Sequence, residues 1–487
     1  MLAAPDDRVP VLDGEPPTDS DRDASFNLGW IWTISLVAAL GGLLFGYDWV
    51  VIGGAKPFYE KYFHLQTPWE VGWAMSCALI GCLGGAVLSG MLADRFGRKR
   101  LLILSAAIFT LSAIGTALAG SFGVFVLNRL AGGVAIGLAS NLSPLYIAEV
   151  APAAIRGKLV SVNQLTIVIG ILMAQVINWL IAEPVAAGAT PAEILASWNG
   201  QTGWRWMFGV TAVPAAIFFV AMFLVPESPR WLAKAGREDR SLRILERIGG
   251  EDYAGRALAE IRQTLKGSSD GSSGGLAEAL DRRVRPAVAL GVVLAVFQQW
   301  CGINVIFNYA EEIFAAAGYG VSDILLNIVI TGVVTLIFTF VAIATVDHLG
   351  RRFLMLAGAG GLAAIYLLIG LSYATGTRGT AVLLLVVAAI ACYGCTLAPV
   401  TWVVLSEIFP NRVRGTAMAL AVFALWAGCF TLTYSFPFLN RAFGPAGTFW
   451  IYSAICLLGF LYIRARLPET KGQTLEQIEA RLGARME

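Results

Sequence analysis

Runs almost empty of charge recur along the whole chain, near 30–55, 71–93, 101–120, 122–148, 159–182, 206–225, 286–310, 324–346, 353–377, 380–406, 415–440 and 442–463. A helix needs roughly 20 apolar residues to cross a bilayer, and each run reaches that length. The chain is therefore expected to be an all-α polytopic membrane protein with twelve transmembrane helices. Composition agrees: 14% of the residues are charged, where soluble domains carry about 25%. The formal net charge of +2 leaves no nucleic-acid footprint. The seven cysteines all fall inside apolar runs and read as small packing residues. Cys392 and Cys395 form a CxxC, but apolar flanks and the distance in sequence to His64 and His348 argue against a metal or redox site.

The distribution of Lys and Arg gives an orientation. Asp94 to Arg100 lies between spans two and three, Arg156 and Lys158 between four and five. His348 to Arg352 lies between eight and nine, Arg412 and Arg414 between ten and eleven. The alternate loops are poor in both residues. These connections and both termini are expected on the cytoplasmic side of the cell (inner) membrane. Residues 1–28 are acidic and contain proline, with no basic start and no apolar stretch; they read as a disordered cytoplasmic tail and not a signal peptide. Residues 226–285 form a long cytoplasmic linker with helical signals, Ser228-Pro229 reading as a cap and first-turn pair, followed by a flexible stretch from Gly267 to Gly275.

The chain repeats itself. Asp94-Arg-Phe-Gly-Arg-Lys99 returns as Asp347-His-Leu-Gly-Arg-Arg352. Glu149 is followed seven positions on by Arg156, and Glu407 likewise by Arg414. Pro226-Glu227-Ser228 returns as Pro468-Glu469-Thr470. Three markers recurring roughly 250 residues apart make a six-plus-six duplication the simplest account. The expected division is an N-terminal half at 29–225, the linker at 226–285, a C-terminal half at 286–466 and a C-terminal tail at 467–487. Parallel half-repeats characterise transporters that rock around a central site.

Polar residues inside the apolar runs are the candidates for function. Span seven carries Gln298, Gln299 and Asn304, and span five carries Gln164 and Gln175. An amide donates and accepts hydrogen bonds with no charge to desolvate, which suits the hydroxyls of a neutral sugar; interhelical bonding is the alternative use, most open for Gln175. Asp48 in span one and Arg129 in span four are an acid and a base in otherwise uncharged surroundings. Ionised Asp48 attracts Arg129 and protonated Asp48 releases it, so the pair can switch; a static ion pair is the other reading. Trp402 lies mid-span after Pro399, where the helix can bend. No HExxH, Walker A or credible GxSxG supports an enzyme, and no cofactor or metal is implied. Gly84-Gly85 and Gly132-Gly133…Gly137 read as close helix packing.

Six motifs then occur in order: Gly41-Gly-Leu-Leu-Phe45-Gly-Tyr-Asp48, Asp94-Arg-Phe-Gly-Arg-Lys99, Pro144-Leu-Tyr-Ile-Ala-Glu149…Arg156-Gly157, Pro226-Glu-Ser-Pro-Arg230, Gln298-Gln-Trp-Cys-Gly-Ile-Asn304 and Pro468-Glu-Thr-Lys-Gly472. From about residue 30 to 475 the chain resembles the sugar porter family of the major facilitator superfamily. The resemblance implies that fold, with a sugar site drawing on Gln164, Gln298, Gln299, Asn304 and Trp402, joined by Phe45, Gln175, Trp426 and Thr335. It implies that Asp48 marks proton-coupled members, where facilitators carry Asn, with Arg129 beside it. It also implies an inner gate from Asp94, Arg98, Glu149, Arg156, Glu227, Arg230, Asp347, Arg351, Glu407 and Arg414; fixing topology by positive charge is the other use of these residues. The expected partners are a small-molecule sugar, a proton and the lipid bilayer, with a monomer as the functional unit.

The chain departs from the glucose and xylose pattern at several points. Thr335 stands for an Asn, Leu425 precedes Trp426 in place of an amide, Cys429 replaces an Asn, and Asn308-Tyr309 and Glu311 replace a Tyr pair and a Pro. The expected function is import of a hexose or pentose by proton symport through alternating access. A facilitative uniporter, a polyol or inositol–proton symporter and a non-transporting sugar sensor are the alternatives.

Overall fold

The computed structural model describes residues 26–186, 188–270, 278, 281, 284–410 and 413–471. Eleven helical segments among them are long and apolar enough to cross a membrane. The last, Arg414–Arg466, contains Gly444 at φ 65° and ψ 177°, a left-handed break, so it is two spans with the turn at Gly444. Twelve spans result. The first six are Leu28–Tyr62, Pro68–Phe96, Arg98–Ala117, Phe122–Val150, Ala153–Ile181 and Asn199–Leu224. Spans seven to ten are Arg285–Asn308, Val321–Leu349, Arg351–Ala374 and Thr380–Ile408, and eleven and twelve share the final helix.

Inside lipid no water can satisfy a backbone group, so each span closes its own helical bonds, and spans one, two and four start with side-chain caps. Thr67 and Glu70 form a capping box at the start of span two, with Pro68 in the first turn. Span one runs to Tyr62, seven residues past the expected end of its apolar run, carrying Lys56 and Glu60 inside the helix. Large apolar side chains such as Leu111, Leu127, Val220, Leu384 and Leu458 are exposed on the outer faces, the surface a protein presents to lipid and not to water.

Spans two and four touch backbone to backbone. A Cβ added at Gly81 would lie 2.2 Å from the Leu130 carbonyl oxygen, and one at Gly133 would lie 2.0 Å from that of Ala78. Gly85 and Gly137 repeat the contact one turn along. Gly85, Gly133 and Gly137 are thus packing residues, as their small size in an apolar run suggests, and Gly132 packs on Ser112 of span three, whereas Gly84 faces open space with nothing within 4 Å of an added Cβ. Between the halves, span two packs on span eleven, where Gly72 meets the Tyr434 carbonyl, and span five packs on span eight, where Gly332 meets Gln175. Shifted by six spans, two becomes eight and five becomes eleven, so one interface pair is the repeat of the other.

The linker forms helices at Pro229–Lys234 and Glu238–Asp270, the second kinked at Gly249 and Gly250. Its helix continues through Gly267 to Asp270; the rest of the expected flexible stretch, through Gly275, lies outside the described residues, as do residues 1–25 of the expected tail and 472–487 of the C-terminal one. Asn27 caps span one, so helix begins inside the expected tail.

Candidate functional site

Span one places Asp48 opposite Arg129 of span four. Arg129 Nη1 donates to Asp48 Oδ1 at 2.5 Å, and both side chains are buried. Asp48 Oδ2 and Arg129 Nε are buried without a hydrogen-bonding partner. The guanidinium also lies over the Phe208 ring, 5.4 Å from its centroid. The pair is close and desolvated but only singly bonded, which leaves one carboxylate oxygen able to take a proton without a competing donor.

Span seven is broken near its middle. Helix Arg285–Trp300 ends, Gly302 sits at φ 88°, and Ile303–Asn308 resumes. The break brings the amides together. Asn304 Nδ2 donates to Gln299 Oε1, and Gln299 Nε2 donates to Gln298 Oε1 at 3.2 Å. Gln298 Nε2 reaches the Ala398 carbonyl of span ten at 3.4 Å, and Asn304 lies 3.6 Å from Cys429 of span eleven. All three amides are buried. They form a row of donors and acceptors whose mutual bonds can be exchanged for those of a hydroxylated ligand.

Gln175 of span five is buried with both amide atoms unpartnered, and it presses on Gly332 of span eight, where a Cβ would lie 1.9 Å from Oε1. Gln164 is exposed on the same helix. Phe45 and Trp426 pack at 5.8 Å between centroids across the two halves, and Trp49, which the sequence reading did not single out, completes a triad at 5.8 and 6.1 Å. Trp402 is 41% exposed, although Thr401, Val404 and Leu405 of the same helix are buried. The Thr335 hydroxyl donates to Thr331 O at 2.8 Å in its own helix, so it is the least available group of the set.

The motif end of the bundle follows a rule repeated in both halves. Gly97, at φ 90°, ends span two and starts span three with no side-chain cap of its own. The Glu227 carboxylate supplies the cap from afar, accepting from the Arg98 and Lys99 amides at 3.0 Å each. Gly350, at φ 85°, stands before span nine, and Glu469 accepts from the Arg351 and Arg352 amides at 2.9 and 3.1 Å. A Cβ at Gly97 would lie 2.3 Å from Glu227 Oε2, and one at Gly350 2.9 Å from Glu469 Oε2. The motif glycines are therefore required both by backbone conformation and by the approach of the carboxylate.

Among the expected gate residues, Glu149 and Glu407 bond not the arginines seven positions on, Arg156 and Arg414, but others. Arg98 Nη2 bonds Glu149 at 2.9 Å and Arg98 Nη1 bonds Asp94 at 3.3 Å. Arg351 Nε bonds Glu407 at 3.3 Å, and the Thr470 hydroxyl donates to Glu407 at 2.5 Å. Arg414 turns back to the Phe409 carbonyl, and neither Arg156 nor Arg230 forms an ion pair among the described residues. Arg156 and Arg414 lie on the span that follows each glutamate's own, whereas the partners, Arg98 and Arg351, are the first residues of the span that precedes it. The side chain of Asp347 lies outside the described residues.

Residues 34–482 match the family profile described as sugar (and other) transporter. The chain is 40% identical over 456 residues to the arabinose-proton symporter of Bacillus subtilis (strain 168), covering 93% of this chain and 96% of that one. It is 38% identical over 489 residues to the D-xylose-proton symporter of Escherichia coli (strain K12), covering 94% and 97%. Among solved structures it resembles the xylose transporter XylE from E. coli in a partially occluded inward open conformation, with TM-score 0.80, 37% identity and 92% of this chain covered against 100% of that one. By profile, sequence and fold, the chain belongs to the sugar porter family of the major facilitator superfamily.

Proposed function

We propose that this protein imports a neutral pentose or hexose together with a proton, by alternating access of one central site. The observation that carries the reading is the singly bonded Asp48–Arg129 pair buried in one half, together with a buried amide row in the other. The proton-symporting relatives support it. On this reading Gln298, Gln299 and Asn304 take sugar hydroxyls, Gln175 and Gln164 approach from span five, and Trp402, Phe45 and Trp426 cover the apolar face of the ring. Protonation of Asp48 frees Arg129 and so shifts the balance between two arrangements of the N-terminal half.

The excess of Lys and Arg at the motif end sets that end, and both termini, in the cytoplasm. There the charged corners hold each half's helix ends as a unit, while Arg156 and Arg414 are the groups left to bridge the halves when the site faces outward. Uptake of labelled pentoses, hexoses and polyols into proteoliposomes, with and without a pH gradient acid outside, tests the reading. At least one pentose or hexose should accumulate only with the gradient. Equilibration without accumulation would establish a facilitator, and uptake confined to polyols would establish the polyol symporter.

A further inference from the structure

At the end opposite the motifs, one lysine holds the two halves together. Lys56, 2% exposed, lies near the end of span one. Its ammonium is 2.9 Å from Glu60 on the same helix, and 3.0 and 2.5 Å from Glu311 and Glu312 of the C-terminal half. The two glutamates stand on Ala310–Ala316, the short helix that follows span seven. The helices meet closely just below: a Cβ on Gly53 would lie 2.8 Å from the Phe307 carbonyl oxygen. Of the ion pairs at the motif end, each given above joins residues of one half or its linker; this cluster joins the halves.

Its charges do not balance. One buried ammonium faces three partly buried carboxylates, which leaves two negative charges around it if all are ionised. Buried charge without compensation is expensive, and a proton is the smallest group that removes it. Glu312 Oε2 is buried with no hydrogen-bonding partner. The titratable groups around the cluster are Tyr59 and Lys61 on span one, Tyr309 beside the short helix, and Tyr373 of span nine, bonded to that helix. Lys61 is a second cation that acts on Glu60 and Glu311. Asp323 in the first turn of span eight and Arg378 after span nine are beside Gly320 and Gly318, just beyond the short helix. The Tyr59, Tyr309 and Tyr373 hydroxyls donate to Met75, Thr433 and Ile313, so none of them serves the carboxylates.

We propose that Lys56, Glu60, Glu311 and Glu312 form a proton-accepting lock on the outer end of the transport path, closed when it has bound a proton from outside and loosened when fully ionised. The proposal rests on the import reading and its orientation. Burial pushes the Glu312 carboxyl up to about 8, with Glu311 and Glu60 adding to the push and Lys56 opposing it. Separation of the halves admits water and returns the group towards its ordinary 4.5. The closed state then binds more protons than the open one. Its advantage is complete below the open-state value and is lost as pH rises through about 8. Acid outside thus closes the outer end over a loaded site, the direction that symport into the cell needs. Lys56 and the glutamates act on the gate and touch no sugar.

The test uses spin labels at the exposed positions Gln66→Cys and Thr377→Cys, one on each half at this end, in a variant with its native cysteines replaced. Asp48→Asn in the same chain removes the response of the other pair. Distances are read by pulsed electron resonance in nanodiscs without sugar, from about pH 5 to about pH 9. The short distance should dominate at low pH and lose about half its population across the range. Glu312→Gln, a neutral copy of the protonated side chain, should stay short at every pH, and Lys56→Met should be long at every pH. A Glu312→Gln chain that keeps its parent's pH response, or a parent with none, overturns the lock even if Lys56→Met fails to fold. The readout needs no transport, so failure of the uptake assay with a normal pH response would overturn the symport reading and leave the lock standing.

Discussion

In the N-terminal half, Glu227 caps span three and Arg98 bonds Glu149; in the C-terminal half, Glu469 caps span nine and Arg351 bonds Glu407. The corners are copies. What the halves bury is not: an acid and a base in one, a row of amides in the other. Duplication kept the frame that positions helix ends and let the interior diverge. A charged pair answers to protons, and neutral amides answer to hydroxyls, so on the proposed reading the proton acts on the N-terminal half, while the sugar, held mainly by the C-terminal amides, reaches Gln175 and Phe45 across the interface.

The sharpest way to break this contrast is to neutralise the N-terminal half. Asp48→Asn is expected to abolish accumulation of sugar driven by a pH gradient while leaving counterflow exchange in place, both read in proteoliposomes. Accumulation that survives would move the coupling site elsewhere. Next in size comes the pair of corners, where the copies should differ by degree. Gly97→Ala meets a positive φ and a carboxylate oxygen at 2.3 Å, whereas Gly350→Ala meets its carboxylate at 2.9 Å. Left-handed strain costs about 1–2 kcal/mol in each, and loss of a charged cap about 1.5–3 kcal/mol more where the carboxylate is displaced. Thermal melting in detergent should therefore fall further for Gly97→Ala; equal losses would say that both glutamates give way alike. The smallest effect sharpens the C-terminal side. Gln299→Ala should weaken sugar binding by about tenfold, roughly 1.4 kcal/mol, with the fold unchanged. Unaltered affinity by calorimetry would move the sugar away from the amide row.

Span count, the duplication and the likeness between the corners were legible because they depend on composition and on motifs local in sequence. The Asp48–Arg129 pair was legible for the same reason, as the conspicuous acid and base in two uncharged runs. The partners of Glu149 and Glu407 were not, because a fixed spacing says nothing about which helix arrives first. Glu469 was seen as a repeat and missed as a cap; the available signal was a helix starting Gly-Arg-Arg with no Ser, Thr, Asp or Asn ahead of it. Lys56 and Glu312 were missed because each sits at the edge of an apolar run, where charges usually mark a loop. Only the fold shows that both edges are buried against each other.

The glycine seam between spans two and four has a mechanical meaning. Where side chains interdigitate, helices can slide by changing rotamers; where backbone rests on backbone, no soft layer exists to yield. The two helices are riveted into a beam, and a beam tilts whole or not at all. Strain applied at the motif end of span two should reach its far end undiminished, through Gly72 to Tyr434 on the other half, so the seam is a lever arm built by leaving atoms out.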